Sequence, residues 1–220
     1  PGQYLRATFA GYPPRDYSPT TPLNLDAEEN VLVFHIKVYP DSIVSSKLGK
    51  EIAKGHAVKL RGPFGNAFLR RQQNPILLTS TGTGFAPIWS IAVAASLGQT
   101  GREIRIIAGS RTRDGIYMRD AVRWLQGRGI PITLTAGDGD DETVRKARPH
   151  ELVGQLTPDH VVYSAGAPSH VDAMREIALG AGATFYADPF FVAEEESGLL
   201  ALAGNLIRKA SAPFTSASAD

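Results

Sequence analysis

Cysteine is absent from this chain of 220 residues. Its absence excludes thiol catalysis, disulfide bonds, cysteine-ligated zinc and any iron–sulfur centre held by these residues. Long apolar runs are also absent, and no signal peptide is recognisable, so we expect a cytoplasmic protein without a membrane anchor. A net charge of +1 gives no electrostatic reason to expect a nucleic-acid or membrane-surface partner.

Metal-ligand patterns are missing as well. The five histidines are scattered along the chain without the spacing that metal ligands show. The acidic segment Asp138–Glu142 lacks the full pattern of a calcium-binding loop, and we interpret it as a solvated turn. No Gly-x-Ser-x-Gly nucleophile turn is present. We therefore expect neither a metal site nor a serine-hydrolase site.

Residues 1–72 carry the pattern of a small antiparallel β-barrel. Apolar and polar side chains alternate as in half-buried strands, and glycine–proline clusters such as 62–65 mark turns between them. The chain starts at Pro1 within the approach to a strand, and we expect the first barrel strand to lie ahead of it. Strands are predicted at Tyr4–Phe9, Val31–Tyr39 and Ala57–Leu60.

Residues 75–196 instead alternate short apolar strands with helices, which is typical of a doubly wound parallel sheet. The fold class is therefore two-domain, β followed by α/β, with a linker near Arg70–Asn74 and a tail at 197–220 that has a short apolar stretch before a Ser/Ala-rich end. Strands are predicted at 76–79, 104–108, 132–135, 161–163 and 184–186. Helices are predicted at 87–97, 116–127 and 169–179.

Arg15, Tyr17 and Ser18 form the first candidate site. An arginine neutralises a pyrophosphate through a planar set of donors, and a tyrosine two residues later lies on the same strand face, where it can stack on a flavin ring. The Ser18 hydroxyl would then reach the flavin N5 edge, where hydride arrives. The same residues also fit a surface turn, because prolines flank them on both sides.

A second candidate, Ser42–Leu48, resembles the start of a short helix. Its free backbone N–H groups and hydroxyls suit a phosphate anion. The alternative is simple helix capping by serine.

The segment Thr81–Pro87 directly follows a predicted strand and opens a helix. Gly82 and Gly84 allow the backbone to approach a diphosphate, and Pro87 suits the first helical turn. The segment is neither the G-x-G-x-x-G fingerprint nor a P-loop. A purely structural strand-to-helix turn is the alternative.

Arginines follow the second α/β strand, where doubly wound folds bind the adenosine ribose. Ser110, Arg111 and Arg113 favour a 2′-phosphate, whereas Asp114 and Arg119 leave the choice between NADH and NADPH open. These arginines also fit solvated helix faces or a docking surface for an acidic partner.

Two more segments lie at the carboxyl end of the predicted sheet. Ser164–Pro168 closes the fourth strand and opens a helix at the same crevice. Phe190, just past the last strand, either completes the core or approaches the flavin opposite Tyr17.

Taken in order, these segments resemble the ferredoxin–NADP⁺ reductase superfamily over about residues 1–192. Within it, Gly62-Pro63-Phe64-Gly65 followed by Phe68 is most similar to the reductase components of bacterial aromatic-ring dioxygenases. The matching segments are Pro1–Tyr4, Arg15–Ser18, Val44–Ser46, Gly62–Gly65, Gly82–Pro87, Ala165–Pro168 and the Phe190 region.

The resemblance implies an NAD(P)H-dependent flavoprotein oxidoreductase. NAD(P)H passes hydride to FAD, which releases single electrons to a ferredoxin or a terminal oxygenase component, in aromatic hydrocarbon catabolism. Any [2Fe-2S] cluster would belong to a domain ahead of Pro1 or to a separate partner. Ala165 stands where many relatives carry cysteine, which puts efficient hydride transfer in doubt.

The resemblance also implies roles for individual residues. Catalytic roles fall to Tyr17, Ser18 and Phe190. Contacts with FAD fall to Arg15, Tyr17, Ser18, His35, Ile36, Lys37, Val44, Ser45, Ser46 and Thr83. Contacts with NADH or NADPH fall to Gly82, Thr83, Gly84, Pro87, Ser110, Arg111, Arg113, Arg119, Gly166, Ala167 and Pro168.

Other functions fit the same residues. One is the reductase module of a flavohaemoglobin-like protein, and another is a non-catalytic sensor subunit that binds flavin or nucleotide. A dehydrogenase without flavin is a third. FMN in place of FAD also stays open, because the adenine-side residues are not distinctive.

Overall fold

The computed structural model describes residues 1–99 and 101–191. The helices in this part are α1 (Phe85–Gly98), α2 (Arg119–Gly127) and α3 (Pro168–Gly180). The strands are β1 (Tyr4–Phe9), β2 (Arg15–Tyr17), β3 (Pro19–Thr20), β4 (Val33–Phe34), β5 (Val58–Phe64), β6 (Ile76–Thr81), β7 (Ile104–Ser110), β8 (Ile132–Ala136), β9 (Val144–Lys146), β10 (Val161–Gly166) and β11 (Thr184–Pro189). The predicted tail at 197–220 lies outside the described residues.

Antiparallel sheets make up the amino-terminal part. One sheet has the order β2-β1-β5, and β3 pairs with β4 in a two-stranded ribbon. The strand predicted at Tyr4–Phe9 is confirmed. The turn predicted at 62–65 is wrong, because β5 runs through Gly62 and Pro63 to Phe64. The pairing register shifts there, and β5 is an edge strand, where proline costs no ladder hydrogen bond.

The long strand predicted over Val31–Tyr39 is also wrong. Only Val33–Phe34 pairs, and Leu32 and Val38 on the predicted apolar face are 50% and 56% exposed. Alternation of side chains shows that a segment can form a strand, but the strand forms only where a neighbour accepts its backbone hydrogen bonds. Within the described residues, that neighbour is the two-residue strand β3.

A six-stranded parallel sheet with the order β11-β10-β6-β7-β8-β9 makes up the rest. Helix α1 packs in the main core on one face, whereas Met174 and Ala178 of α3 pack in a second core on the other. Helices on both faces define a doubly wound sheet, so the predicted fold class is confirmed. Within the described ranges, no helix combines the length and apolar character needed to cross a bilayer.

The predicted strands and helices of this part are present, with two differences. Helix α2 begins at Arg119 and not at 116, because Met118 has a left-handed backbone with φ of 56°, which a helix cannot include. Strand β9 was not predicted. It is three residues long, and two of them, Arg145 and Lys146, are exposed cations, as is common in edge strands. The segment therefore lacks the apolar pattern from which the other strands were predicted.

Candidate functional site

Helix α1 links two of the predicted site segments, the one that contains Arg15, Tyr17 and Ser18 and the glycine turn Gly82–Gly84. Thr20 lies two residues after Ser18, and its Oγ1 donates to the Ala86 carbonyl oxygen at 2.9 Å. On the same helix, Trp89 Nε1 donates to the Thr21 carbonyl oxygen at 2.9 Å. Thr20, Ala86 and Trp89 are buried, so water does not compete for these bonds. The structure therefore fixes Thr20 and Thr21, which follow the Arg15–Ser18 segment, against the first turns of α1.

Ser18 is a buried and Tyr17 a half-buried member of this segment. The Ser18 side chain is buried, and its Oγ has no hydrogen-bond partner among the described residues. A buried hydroxyl without a partner is costly, which fits a group that serves a ligand. Tyr17 is half-buried, and burial raises the pKa of its hydroxyl, so the ring stays neutral at physiological pH. Arg15 Nη1 donates to the Pro14 carbonyl oxygen at 2.8 Å.

Tyr117 connects the two halves at a second point, and the sequence analysis missed it. Its hydroxyl donates to the Thr83 carbonyl oxygen at 3.2 Å, and its ring centroid lies 5.6 Å from that of His35. Burial lowers the pKa of His35, so the imidazole is neutral at pH 7. Its Nδ1 is buried without a partner in the described residues. Only the fold brings these positions together, since nothing in the sequence near Tyr117 marks it.

The Ser42–Leu48 segment forms a single 3₁₀ turn, Ser45–Lys47, and uses its hydroxyls internally. The backbone N–H of Ser45 donates to Ser42 Oγ at 3.0 Å, and that of Tyr39 donates to Ser45 Oγ at 3.1 Å. Ser46 Oγ donates to the Ser42 carbonyl oxygen. These bonds engage the serine hydroxyls locally, although the N-cap of the turn is Val44 and has no side-chain cap hydrogen bond. The contacts of Val44, Ser45 and Ser46 with a pyrophosphate stay a prediction.

Two further predicted FAD contacts follow β4. Ile36 is half-buried, and Lys37 is exposed with Nζ 5.2 Å from the centre of the Tyr39 ring. The structure leaves the Lys37 ammonium at the surface, and neither residue contacts the glycine turn through a hydrogen bond that the structure shows.

The glycine turn Gly82–Gly84 sits between β6 and α1 and packs against β10. A Cβ on Gly84 would lie 2.3 Å from the Ala165 carbonyl oxygen, so only glycine fits. Gly82 has φ of 55° and open space where a Cβ would be. The turn is thus closed towards the protein and open towards solvent, as a cradle for a diphosphate requires. Pro87 lies in the first turn of α1, as predicted.

The ends of β6 and β10 form one continuous backbone surface. Thr81 Oγ1 accepts the Ala167 N–H at 2.9 Å. Gly166 has φ of 128°, and a Cβ there would lie 2.4 Å from Thr81 Oγ1. Pro168 begins α3 directly afterwards. The structure therefore brings the predicted residues Gly82–Gly84 and Gly166–Pro168 to the same edge of the sheet.

The residues predicted on the ribose side of the nucleotide differ in exposure and in ion pairing. Arg111 and Arg119 are exposed, and Ser110 is half-buried at the end of β7. Arg113 instead turns to the acidic loop after β8: Nη2 lies 2.8 Å from Asp141 Oδ2, and Nη1 pairs with Asp140. The Arg113 guanidinium, which the sequence analysis assigned to the nucleotide, is thus already paired with two carboxylates.

Asp188, another residue that the sequence analysis missed, ties the last strand to the amino-terminal part. Its carboxylate accepts the N–H groups of Asn66 at 3.0 Å and Ala67 at 3.2 Å. Burial raises the pKa of this carboxyl group, and the two N–H donors oppose the rise. The neighbouring Phe190 donates its N–H to the Gly166 carbonyl oxygen at 2.7 Å, and its ring packs against the main core. Completion of the core, one of the two roles considered for Phe190, is therefore observed.

Comparison with known proteins identifies the amino-terminal part. Residues 1–68 match the family model of the oxidoreductase FAD-binding domain. The amino-terminal part is therefore similar to the FAD-binding domains of flavin-dependent oxidoreductases. Similarity to a solved reductase structure extends over both the antiparallel sheets and the doubly wound sheet.

Several of the proteins that are similar to this chain are reductase components. A Ralstonia sp. reductase component of naphthalene 1,2-dioxygenase/salicylate 5-hydroxylase systems is 29% identical over 87% of this chain and 60% of its own. The Comamonas sp. terephthalate 1,2-dioxygenase reductase component 1 is 30% identical over 86% and 58%. The solved ferredoxin reductase of carbazole 1,9a-dioxygenase has a TM-score of 0.69 and 25% identity, over 87% and 60%. The chain therefore spans about three fifths of the length of these relatives.

Proposed function

We propose that this chain is the flavin- and nucleotide-binding part of a cytoplasmic NAD(P)H-dependent reductase. It would pass electrons to a ferredoxin or terminal oxygenase component of an aromatic-ring dioxygenase system. The observation that carries the proposal is the buried hydrogen bond from Thr20 to the Ala86 carbonyl oxygen. It joins the chain just after Ser18, a predicted flavin contact, to the helix that follows the glycine turn predicted to bind the nucleotide. The names of the similar proteins support the choice of partner.

The available groups suit both cofactors. Bound FAD accepts a hydride from NAD(P)H and releases electrons singly, and the protein supplies binding and orientation. Arg15 would neutralise phosphate charge, and the Ser18 hydroxyl would gain a partner that none of the described residues supplies. The neutral rings of Tyr17 and His35 would line the flavin. The turn Gly82–Gly84 would receive the nucleotide diphosphate at the start of α1.

The direct test is the visible spectrum of the purified chain after reconstitution with FAD. We expect flavin absorption that NADH or NADPH bleaches without oxygen, because both sites meet at α1. A bound flavin that neither nucleotide bleaches would indicate a sensor subunit. A chain that takes up no flavin would contradict the proposal.

Replacing Arg15 by alanine is expected to weaken FAD binding by about 10- to 100-fold, the usual loss of a charge-assisted hydrogen bond. Arg6 provides the matched control, because it lies on the adjacent strand β1 but already pairs with Asp16 at 2.8 Å. Titration of the flavin fluorescence with each variant measures the two affinities. Equal losses in Arg15→Ala and Arg6→Ala would show that Arg15 has no specific role.

A further inference from the structure

The loops that follow β7 and β8 form one connected surface at the edge of the sheet. The Gly137 N–H donates to the Arg111 carbonyl oxygen at 3.1 Å. The Arg113 N–H donates to Asp138 Oδ1 at 2.7 Å. Backbone and side-chain bonds therefore hold the loops together at the strand ends where doubly wound folds place the adenosine ribose.

Arg113 is fixed at the centre of this surface. Its guanidinium pairs with Asp140 and Asp141, and its side chain is only 33% exposed. The hydrogen bond from Arg113 is the main cause that lowers the pKa of Asp141 to about 2, so this carboxylate is ionised at every physiological pH. Asp141 Oδ1 also accepts the N–H groups of Thr143 and Val144 at 2.8 and 2.9 Å. The acceptor that holds Arg113 is therefore itself held in place.

The charge of the two loops is negative. Residues 110–115 and 137–142 contain two arginines and five carboxylates, which gives a formal charge of −3. Two more cations, Arg145 and Lys146, lie on β9, one strand further from the glycine turn. A 2′-phosphate at this edge would meet net repulsion, and Arg113 could pair with it only by leaving Asp140 and Asp141.

We propose that NADH is the electron donor and that the Arg113–Asp140–Asp141 cluster determines this choice. The inference rests on the proposed function and adds the donor to it. In this arrangement the carboxylates accept a hydrogen bond from a free ribose 2′-hydroxyl, and their ion pairs withhold the Arg113 guanidinium from a 2′-phosphate. Arg111, the other arginine of the two loops, is exposed and does not offset their net negative charge. Arg113 thus acts against NADPH, the opposite of the role that its charge alone suggests.

Two nucleotide fragments test the choice between NADH and NADPH on the full chain, without any flavin. AMP carries the free 2′-hydroxyl, and adenosine 2′,5′-bisphosphate carries the 2′-phosphate. Isothermal titration of each should show tighter binding of AMP. In Asp140→Asn/Asp141→Asn, freed Arg113 should strengthen binding of the bisphosphate relative to AMP by about fivefold, as expected of a partly exposed charge.

The matched control is Asp120→Asn/Asp172→Asn. It removes two carboxylates of equal charge that pair with Arg123 and Arg175 on helix surfaces. The ratio of the two affinities should stay that of the unchanged chain.

Each other outcome overturns a different statement. Tighter binding of the bisphosphate by the unchanged chain contradicts NADH as the donor. An equal shift of the affinity ratio in both double variants contradicts the role of the cluster. A chain that binds neither fragment contradicts the nucleotide site of the proposed function itself.

Discussion

The Gly166→Ala variant is expected to lose about 3 kcal/mol of unfolding free energy and about 100-fold in NAD(P)H oxidation. Gly166 has a left-handed φ of 128°, and an added Cβ would lie 2.4 to 2.8 Å from three atoms of Thr81. The backbone of β6 would have to move away from β10. That movement would displace the glycine turn, and a misplacement of about 1 Å can cost about 100-fold in rate.

Two other glycines allow the effect of a strained backbone to be measured separately from the effect of a steric clash with an added Cβ. Gly84 has an ordinary φ, but an added Cβ would meet the Ala165 carbonyl oxygen at 2.3 Å. Gly182, after α3, has φ of 72°, yet its nearest neighbour would lie at 3.4 Å, an ordinary contact. Gly84→Ala should therefore lose activity as Gly166→Ala does, whereas Gly182→Ala should lose only about 1 kcal/mol of stability.

Ferricyanide reduction and thermal unfolding of the three variants measure these effects. If Gly166→Ala keeps its activity while it loses stability, the contact between β6 and β10 serves the fold and not the nucleotide site. Equal activity losses in Gly182→Ala would show that general destabilisation explains the result.

The Asp188→Ala variant should lower the free energy of unfolding by about 3 kcal/mol. The substitution leaves the N–H groups of Asn66 and Ala67 without their acceptor, and the buried N–H of Ala67 without a partner costs about 1–3 kcal/mol by itself. Ala67 is 1% exposed, so water cannot replace the carboxylate there. Urea denaturation measures the loss, and a change below about 0.5 kcal/mol would contradict this role of Asp188.

Asp188 also predicts a dependence of stability on pH. Burial raises the pKa of this carboxyl group in the folded protein above its ordinary value of 3.8. The folded state therefore holds the proton more tightly than the unfolded state, and the resulting stability is complete below pH 3.8 and lost as the pH rises through the folded pKa. The unfolding free energy of the wild type minus that of Asp188→Asn should thus increase on acidification. A difference that decreases on acidification would contradict the raised pKa.

Local sequence predicted the elements whose signal lies within a few residues. Tyr4–Phe9 was found because its side chains alternate as in a half-buried strand, and the parallel strands were found because their apolar runs mark buried strands. The Val31–Tyr39 prediction failed because its alternation says nothing about whether a neighbouring strand exists. The domain limits at 1–72 and 75–196 and the individual cofactor contacts stay predictions.

The sequence by itself determined the architecture and the kind of site, because glycine turns and strand–helix order depend on short-range geometry. Tertiary structure alone decided which groups are free to act. It left the Ser18 hydroxyl buried without a hydrogen-bond partner among the described residues, and it brought Tyr117 between His35 and Thr83. It also paired Arg113 with carboxylates 27 and 28 residues away. The sequence shows that a residue is an arginine and carries a charge, but whether this charge is free to bind a ligand depends on the side chains that the fold places beside it.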